Sequence, residues 1–230
     1  MTRKKSPPRF DPTNYTKVVL NDLVVYSDEI YDRLVYGIEH TCFASLPGMR
    51  ERTVLLGGFS KAYAMTGWRV GYVAAPAAIS REIRKVHQYA IMCAPTVSQW
   101  AAVEALKTGE PDVQRMRAEY DRRRQVIVKG FNSIGLPCFE PRGAFYAFPN
   151  VRDLGLRSSD LATLLLEEGG VATLPGTAFG PEGEGYLRLC FSASEENIDL
   201  ARKWLDSVAG KNDQLGRFAY QGGAYSPTMT

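Results

Sequence analysis

Histidine is scarce in this chain and its cysteines are scattered. The two histidines, His40 and His87, stand far apart, and Cys42, Cys93, Cys138 and Cys190 include no C-x-x-C pair. That spacing does not build a metal site, and isolated cysteines in apolar surroundings read as reduced core residues, so neither metal nor disulfide is expected. No apolar run approaches the roughly 20 residues that cross a bilayer. Met1 to Arg9 carries charge and proline with no apolar stretch behind it, which makes a cytoplasmic protein without membrane partners the expectation. Charge of one sign is also missing: 28 basic against 25 acidic residues leave a net charge of +3, too even for a nucleic-acid footprint. The densest basic stretch, Arg122-Arg123-Arg124 beside Arg115 and Arg117, has helical spacing and reads as a solvated helix face. There is no P-loop, no G-x-G-x-x-G after a strand and no internal repeat.

What is present is a globular pattern: 45% hydrophobic and 23% charged residues over 230 positions, enough for a sizeable core. Leu23 to Tyr26, Thr53 to Leu56 and Val70 to Ala75 are continuous apolar runs bounded by turn residues, which predicts sheet strands buried on both faces. Helical patterns run from Pro76 to about His87 and from Val97 to Leu106. From Asp112, Val113, Met116, Tyr120, Ile127 and Phe131 keep near-helical spacing up to Gly135-Leu136-Pro137 and predict one long amphipathic helix. Beyond it the pattern gives a strand at Ala144 to Phe148 and a helix around Asp160 to Glu168 capped by Ser159. Short strands near Val171 and at Tyr186 to Phe191 follow, then a helix from Glu195 to Val208. The fold class is therefore α/β: an α/β layer with a mostly parallel sheet over 17–110, a long helix over 111–134 and a small α+β domain over 135–209. The ends, 1–16 and 210–230, lack periodicity and are expected to be disordered.

The run from Gly58-Phe59-Ser60-Lys61 to Gly67-Trp68-Arg69-Val70-Gly71 puts one lysine in a tight turn after an apolar strand, with an arginine eight residues on. An amine that forms an imine with an aldehyde must be held on such a loop, near cationic and dipolar groups that keep part of it neutral. Upstream, Ser27-Asp28-Glu29-Ile30-Tyr31 closes another strand with a carboxylate and a phenol. Each residue has a commonplace reading when taken singly, a surface lysine or a turn aspartate. Their joint occurrence at strand ends, which converge on one crevice in a parallel sheet, points to pyridoxal phosphate chemistry. Arg188 stands inside the apolar strand Tyr186 to Phe191, where an unpaired charge is expensive, so it calls for an anion.

These motifs, with Gly143-Ala144-Phe145-Tyr146 and the stretch from Leu174-Pro175-Gly176-Thr177 to Tyr186-Leu187-Arg188, resemble the class I and II aminotransferases. Those are pyridoxal-phosphate enzymes of fold type I, and the likeness is greatest to their aspartate and aromatic branch, over about Val24 to Ala209. The resemblance implies that Lys61 forms a Schiff base with the cofactor and then shuttles the substrate α-proton. It implies that Asp28 pairs with the pyridinium nitrogen, that Tyr31 donates to the ring's 3′ oxygen, and that Arg69, helped by Ser60, holds the phosphate. Arg188 would bind the substrate α-carboxylate; Phe145 and Tyr146 read as packing residues. Gly58 stands where some relatives have a phosphate-contacting serine.

The family's segment before the aspartate motif has no counterpart in these residues, and Asn14 is too close to Asp28 to replace its cofactor-binding asparagine. The chain is thus expected to be a truncated family member whose full-length form is a homodimer using amino acid and 2-oxo acid substrates. Two other readings stay open: a carbon-sulfur lyase or related elimination enzyme on the same scaffold, and a catalytically incompetent fragment.

Overall fold

The computed structural model describes residues 17, 18 and 20–210, in two compact units divided between Arg115 and Met116. The expected disordered ends, 1–16 and 211–230, lie outside the described residues, while Gly210 closes the last helix. Among the described residues no helix is long and apolar enough to cross a membrane.

In the first unit, strand β1 (Val25–Asp28) pairs in parallel with β2 (Thr53–Gly58), in register from Val25↔Thr53 to Asp28↔Leu56. Strand β3 (Gly71–Ala74) pairs antiparallel with β2, from Leu55↔Ala74 to Gly58↔Gly71, giving the order β1-β2-β3. The sheet is therefore mixed. The reversal comes from the loop between β2 and β3, which closes on itself: Phe59 N–H donates to Val70 O and Met65 N–H to Phe59 O, so the loop's two ends stay adjacent. Helices α1 (Ala77–Ala90) and α2 (Thr96–Thr108) follow.

Burial differs from the expectation of strands covered on both faces. Thr53 and Val54 are buried, but β1 alternates between half-buried and exposed, and every residue of β3 is exposed. A continuous apolar run specifies an apolar strand without specifying what covers it. Large apolar side chains are also open on the helices, with Tyr89 of α1 89% and Trp100 of α2 70% exposed.

Two glycines set the spacing of this sheet. A Cβ on Gly71 would stand 2.9 Å from the Gly57 carbonyl oxygen, and one on Gly57 would enter the Tyr72 ring at 2.5 Å. Tyr72 is half exposed and can swing aside, whereas the carbonyl is fixed in the ladder. Gly71→Ala is therefore expected to destabilise the first unit by about 1–3 kcal/mol, read as a lower denaturant midpoint and faster amide exchange in β2. An unchanged midpoint would show that the strands can separate at no cost.

Helix α3 (Glu110–Ser133) starts in the first unit and continues into the second. There the sheet has the order β4-β6-β5, all antiparallel, built from β4 (Tyr146–Ala147), β5 (Leu174–Pro175) and β6 (Leu187–Cys190). Helices α4 (Ser158–Gly169) and α5 (Glu195–Gly210) complete it. The core of this unit includes Ile127 and Phe131 of α3, Leu161 and Leu165 of α4, Leu187 and Leu189 of β6, and Leu205 of α5, all buried.

Four local expectations are corrected by the structure. The short strand lies at Leu174–Pro175 rather than near Val171. Ser159 does not cap α4, because its hydroxyl turns to Asp160; the Glu184 carboxylate accepts instead from Ser158 N–H at 2.8 Å and Ser158 Oγ at 3.0 Å. Those donors hold Glu184 below the usual carboxylate range. The arginine run is only partly a solvated face: Arg124 is buried, donating to Asp121 at 2.8 Å and Glu140 at 2.6 Å, while Arg122 pairs with Glu119 and Glu195. All four cysteines are free, but only Cys138 is buried; Cys93 and Cys190 are exposed.

Candidate active site

Register places the residues singled out from the sequence. Asp28 ends β1, and because β1 and β2 are parallel, the Ser60-Lys61 turn that follows β2 leaves from the same edge of the sheet. Arg69 precedes β3, whose first residue, Gly71, pairs with Gly58 at the end of β2. The antiparallel direction of β3 thus brings Arg69 to this edge; a parallel β3 would have put it at the opposite one. Tyr31 lies half-buried in the turn after Asp28, its carbonyl accepting from Leu34 N–H at 2.9 Å. Arg188 belongs to the second unit.

The Lys61 turn is held from below. Phe59 and Met65 are buried with Ala102 of α2, joined by Tyr63, Val70, Ala101 and Ala105, and Ala62 is 1% exposed. Apolar anchors on either side leave Ser60 and Lys61 half-buried at the rim. Thr66 Oγ1 donates to Ser60 O at 3.0 Å, and Arg69 Nη1 donates to Thr66 O at 2.8 Å, tying the arginine to the same turn. Ala64 and Arg69 take the left-handed conformation, with φ of 53° and 50°. For side chains with a Cβ this costs on the order of 1 kcal/mol each, and such strain persists only where surrounding packing enforces it. Gly58 sits against Ile30: a Cβ there would lie 3.1 Å from Ile30 Cδ1 and 3.2 Å from Gly71 Cα, which is a packing reason for glycine at this position.

Charge at this edge is left open. Asp28 Oδ1 accepts from Ile30 N–H at 3.2 Å and has no cationic partner among the described residues. Arg69 is exposed and has no carboxylate partner among them. An anion and a cation that do not neutralise each other, with an amine between them in sequence, suit a ligand carrying both a basic ring nitrogen and a phosphate.

The neighbouring Glu29, part of the same motif and not assigned a role from the sequence, is the structural carboxylate. It accepts from Ser27 Oγ and Phe43 N–H, both at 2.9 Å, and lies 2.7 Å from His40 Nε2, fastening the chain beyond β1. Burial works against its ionisation, but His40, Phe43 N–H and Ser27 outweigh this and hold the carboxyl below its ordinary value of 4.5. A depressed folded value means that the stabilisation is present above pH 4.5 and is lost as pH falls through the lower folded value. Glu29→Gln should therefore cost about 1.5–3 kcal/mol at neutral pH and flatten the acid limb of stability below pH 4.5. Parallel acid limbs in the two proteins would show that Glu29 anchors nothing.

In the second unit, Arg188 lies on the central strand β6, between buried Leu187 and Leu189, whose side chains take the opposite face. Its guanidinium carbon sits 4.4 Å from the Tyr146 ring centroid and 4.5 Å from that of Phe179. It has no hydrogen-bond or carboxylate partner among the described residues. Tyr146, read from the sequence as a packing residue, thus packs on the arginine itself. The local signal was the pairing of β4 with β6, which an apolar pattern does not reveal.

The family model of class I and II aminotransferases matches residues 10–205. The chain belongs to that family. It is 45% identical over 193 residues to an aspartate aminotransferase of Pyrococcus abyssi, taking in 83% of this chain and 50% of that one. Over 193 residues and the same shares it is 42% identical to aromatic-amino-acid aminotransferase 2 of Thermococcus litoralis. The crystal structure of an aromatic aminotransferase from Pyrococcus horikoshii OT3 superposes with a TM-score of 0.84 at 44% identity, covering 87% of this chain and 54% of that one. The aminotransferase fold described above is thus the fold type I scaffold in part, and the chain spans about half the length of the family members it matches.

Proposed function

We propose that this chain carries the lysine-bearing half of a pyridoxal-phosphate-dependent aminotransferase, which moves an amino group from an amino acid to a 2-oxo acid. The observation that carries the reading is the gathering of Asp28, Lys61 and Arg69 at one sheet edge, with acid and guanidinium unneutralised by each other. When bound, pyridoxal phosphate supplies an aldehyde for an amine and an electron-withdrawing ring that stabilises negative charge at the substrate α-carbon. Lys61 would provide the amine and, as a free amine, would carry a proton from the substrate α-carbon to the former aldehyde carbon. Asp28 holds a protonated ring nitrogen by a charge-assisted hydrogen bond, and Tyr31 offers its phenol to the ring oxygen beside the aldehyde. Arg69 and Ser60 bind phosphate, and the strained loop fixes the arginine before the ligand arrives. Arg188 receives the α-carboxylate.

Tyr89 and Trp100, left open on the helices, support a working form in which further polypeptide covers the first unit, as a two-subunit assembly of full-length family members would. The exposed free thiols Cys93 and Cys190 favour a reducing compartment, the cytoplasm.

Titration of the chain with pyridoxal phosphate, borohydride reduction and peptide mapping test the reading. One label per chain, on Lys61, is the expected result; label spread over surface lysines would overturn it. Amino acid and 2-oxo acid exchange is the expected chemistry, whereas ammonia and pyruvate would reassign the scaffold to elimination.

A further inference from the structure

Arginines in protein interiors are usually steadied by carboxylates, as Arg124 is by Asp121 and Glu140. Arg188 is steadied differently. Its guanidinium carbon lies over two aromatic rings, Tyr146 at 4.4 Å and Phe179 at 4.5 Å from the ring centroids. Each ring is itself buttressed. Tyr146 leans on Phe145 at 5.0 Å, and Phe145 on Tyr120 of α3 at 5.7 Å. Phe179 meets the Phe148 ring edge-on at 6.2 Å, and Phe148 stacks on Tyr186 at 5.4 Å with 15° between planes. The two supports come from different parts of the unit, β4 and the turn Gly176–Phe179, so they close on the arginine from separate backbones.

A carboxylate partner would fix the arginine and also neutralise it, competing with any incoming anion. Aromatic faces fix the cation while leaving its charge uncompensated. Contact with a ring face also uses none of the guanidinium N–H donors, so the in-plane edge that binds a carboxylate in a bidentate fork stays available. From this arrangement we infer that Tyr146 and Phe179 are positioning residues, a clamp that presents the edge of Arg188 to the carboxylate of the amino acid or 2-oxo acid. The inference rests on the assignment of Arg188 as carboxylate receptor. The clamp selects for charge: a carboxylate gains from the orientation, whereas the matching amide, without a second acceptor oxygen, gains little.

The test uses the full chain with 3-phenylpropionate and 3-phenylpropionamide as probes, followed by calorimetry and by the NMR signal of the Arg188 Nε–H. In the wild-type chain that signal should be ordered and ring-current shifted, unlike that of exposed Arg84, and 3-phenylpropionate should bind at least 10-fold more tightly than the amide. Phe179→Leu, at a half-exposed position that need not unfold the unit, should release the Arg188 signal and weaken carboxylate binding about 10-fold with amide binding unchanged. Phe179→Tyr should restore both, and Tyr146→Leu should act like Phe179→Leu. If Arg188→Ala abolishes the preference for carboxylate while neither leucine variant changes it, the clamp is overturned and the receptor assignment stands. If Arg188→Ala leaves the preference intact, or the wild-type chain shows none, both fall. An Arg188 signal as mobile as that of Arg84 in the wild-type chain overturns the clamp without reference to any ligand.

Discussion

Lys61→Ala is expected to lose the absorption band that the unchanged chain gains with pyridoxal phosphate, and to lower amino transfer by at least about three orders of magnitude, since the proposed mechanism uses one side chain as both nucleophile and proton carrier. Lys61→Arg should be as inactive. It keeps the positive charge and nearly the length of lysine, but a guanidinium stays protonated and cannot attack an aldehyde. The pair separates electrostatics from nucleophilicity. Both substitutions should leave the chain folded, because buried Phe59, Ala62 and Met65 anchor the turn from beneath. Transfer that survives in Lys61→Arg would mean that the residue serves only as a charge.

Asp28→Asn should separate binding from catalysis. The substitution keeps the shape and the acceptor oxygen that takes the Ile30 N–H, so stability should change by less than about 1 kcal/mol. Capture of the aldehyde by Lys61 should persist, with the reduced label still at that residue. Transfer should fall by about 10²–10³, the range for removing one preorganised electrostatic partner, because a neutral amide does not hold the ring nitrogen protonated. Full transfer in Asp28→Asn would show that the ring nitrogen takes its charge from another source.

Residue chemistry was legible in the sequence where it needed particular side chains at particular spacings, as in Ser27 to Tyr31 and Ser60 to Gly71, and family membership followed from those motifs. Strand positions in the first unit were legible to within two residues: the apolar run Leu23 to Tyr26 overlaps a ladder that begins at Val25. Strand direction was not, because hydrophobic pattern is the same read along a parallel or an antiparallel neighbour. The direction of β3 is set by how the loop from Phe59 to Val70 closes, and Arg69 reaches the site edge only through that closure. Long-range partners were equally hidden. Ser158 finds its cap 26 residues away in Glu184, and a local rule for helix starts selects Ser159 instead. Arg124 looked like its solvated neighbours because burial on a helix depends on what packs against each face, here Glu140 and the Pro141 carbonyl.

The uneven placement of the thiols gives the chain a built-in chemical clock. Cys93 and Cys190 stand open to an alkylating reagent, Cys42 is partly shielded, and Cys138 is enclosed in the second unit, where burial raises its thiol pKa and disfavours the thiolate. Modification of the first two reports only on the folded surface. Alkylation of Cys138 has to wait for the walls around it to part, so its rate counts the opening events of the second unit without any added label.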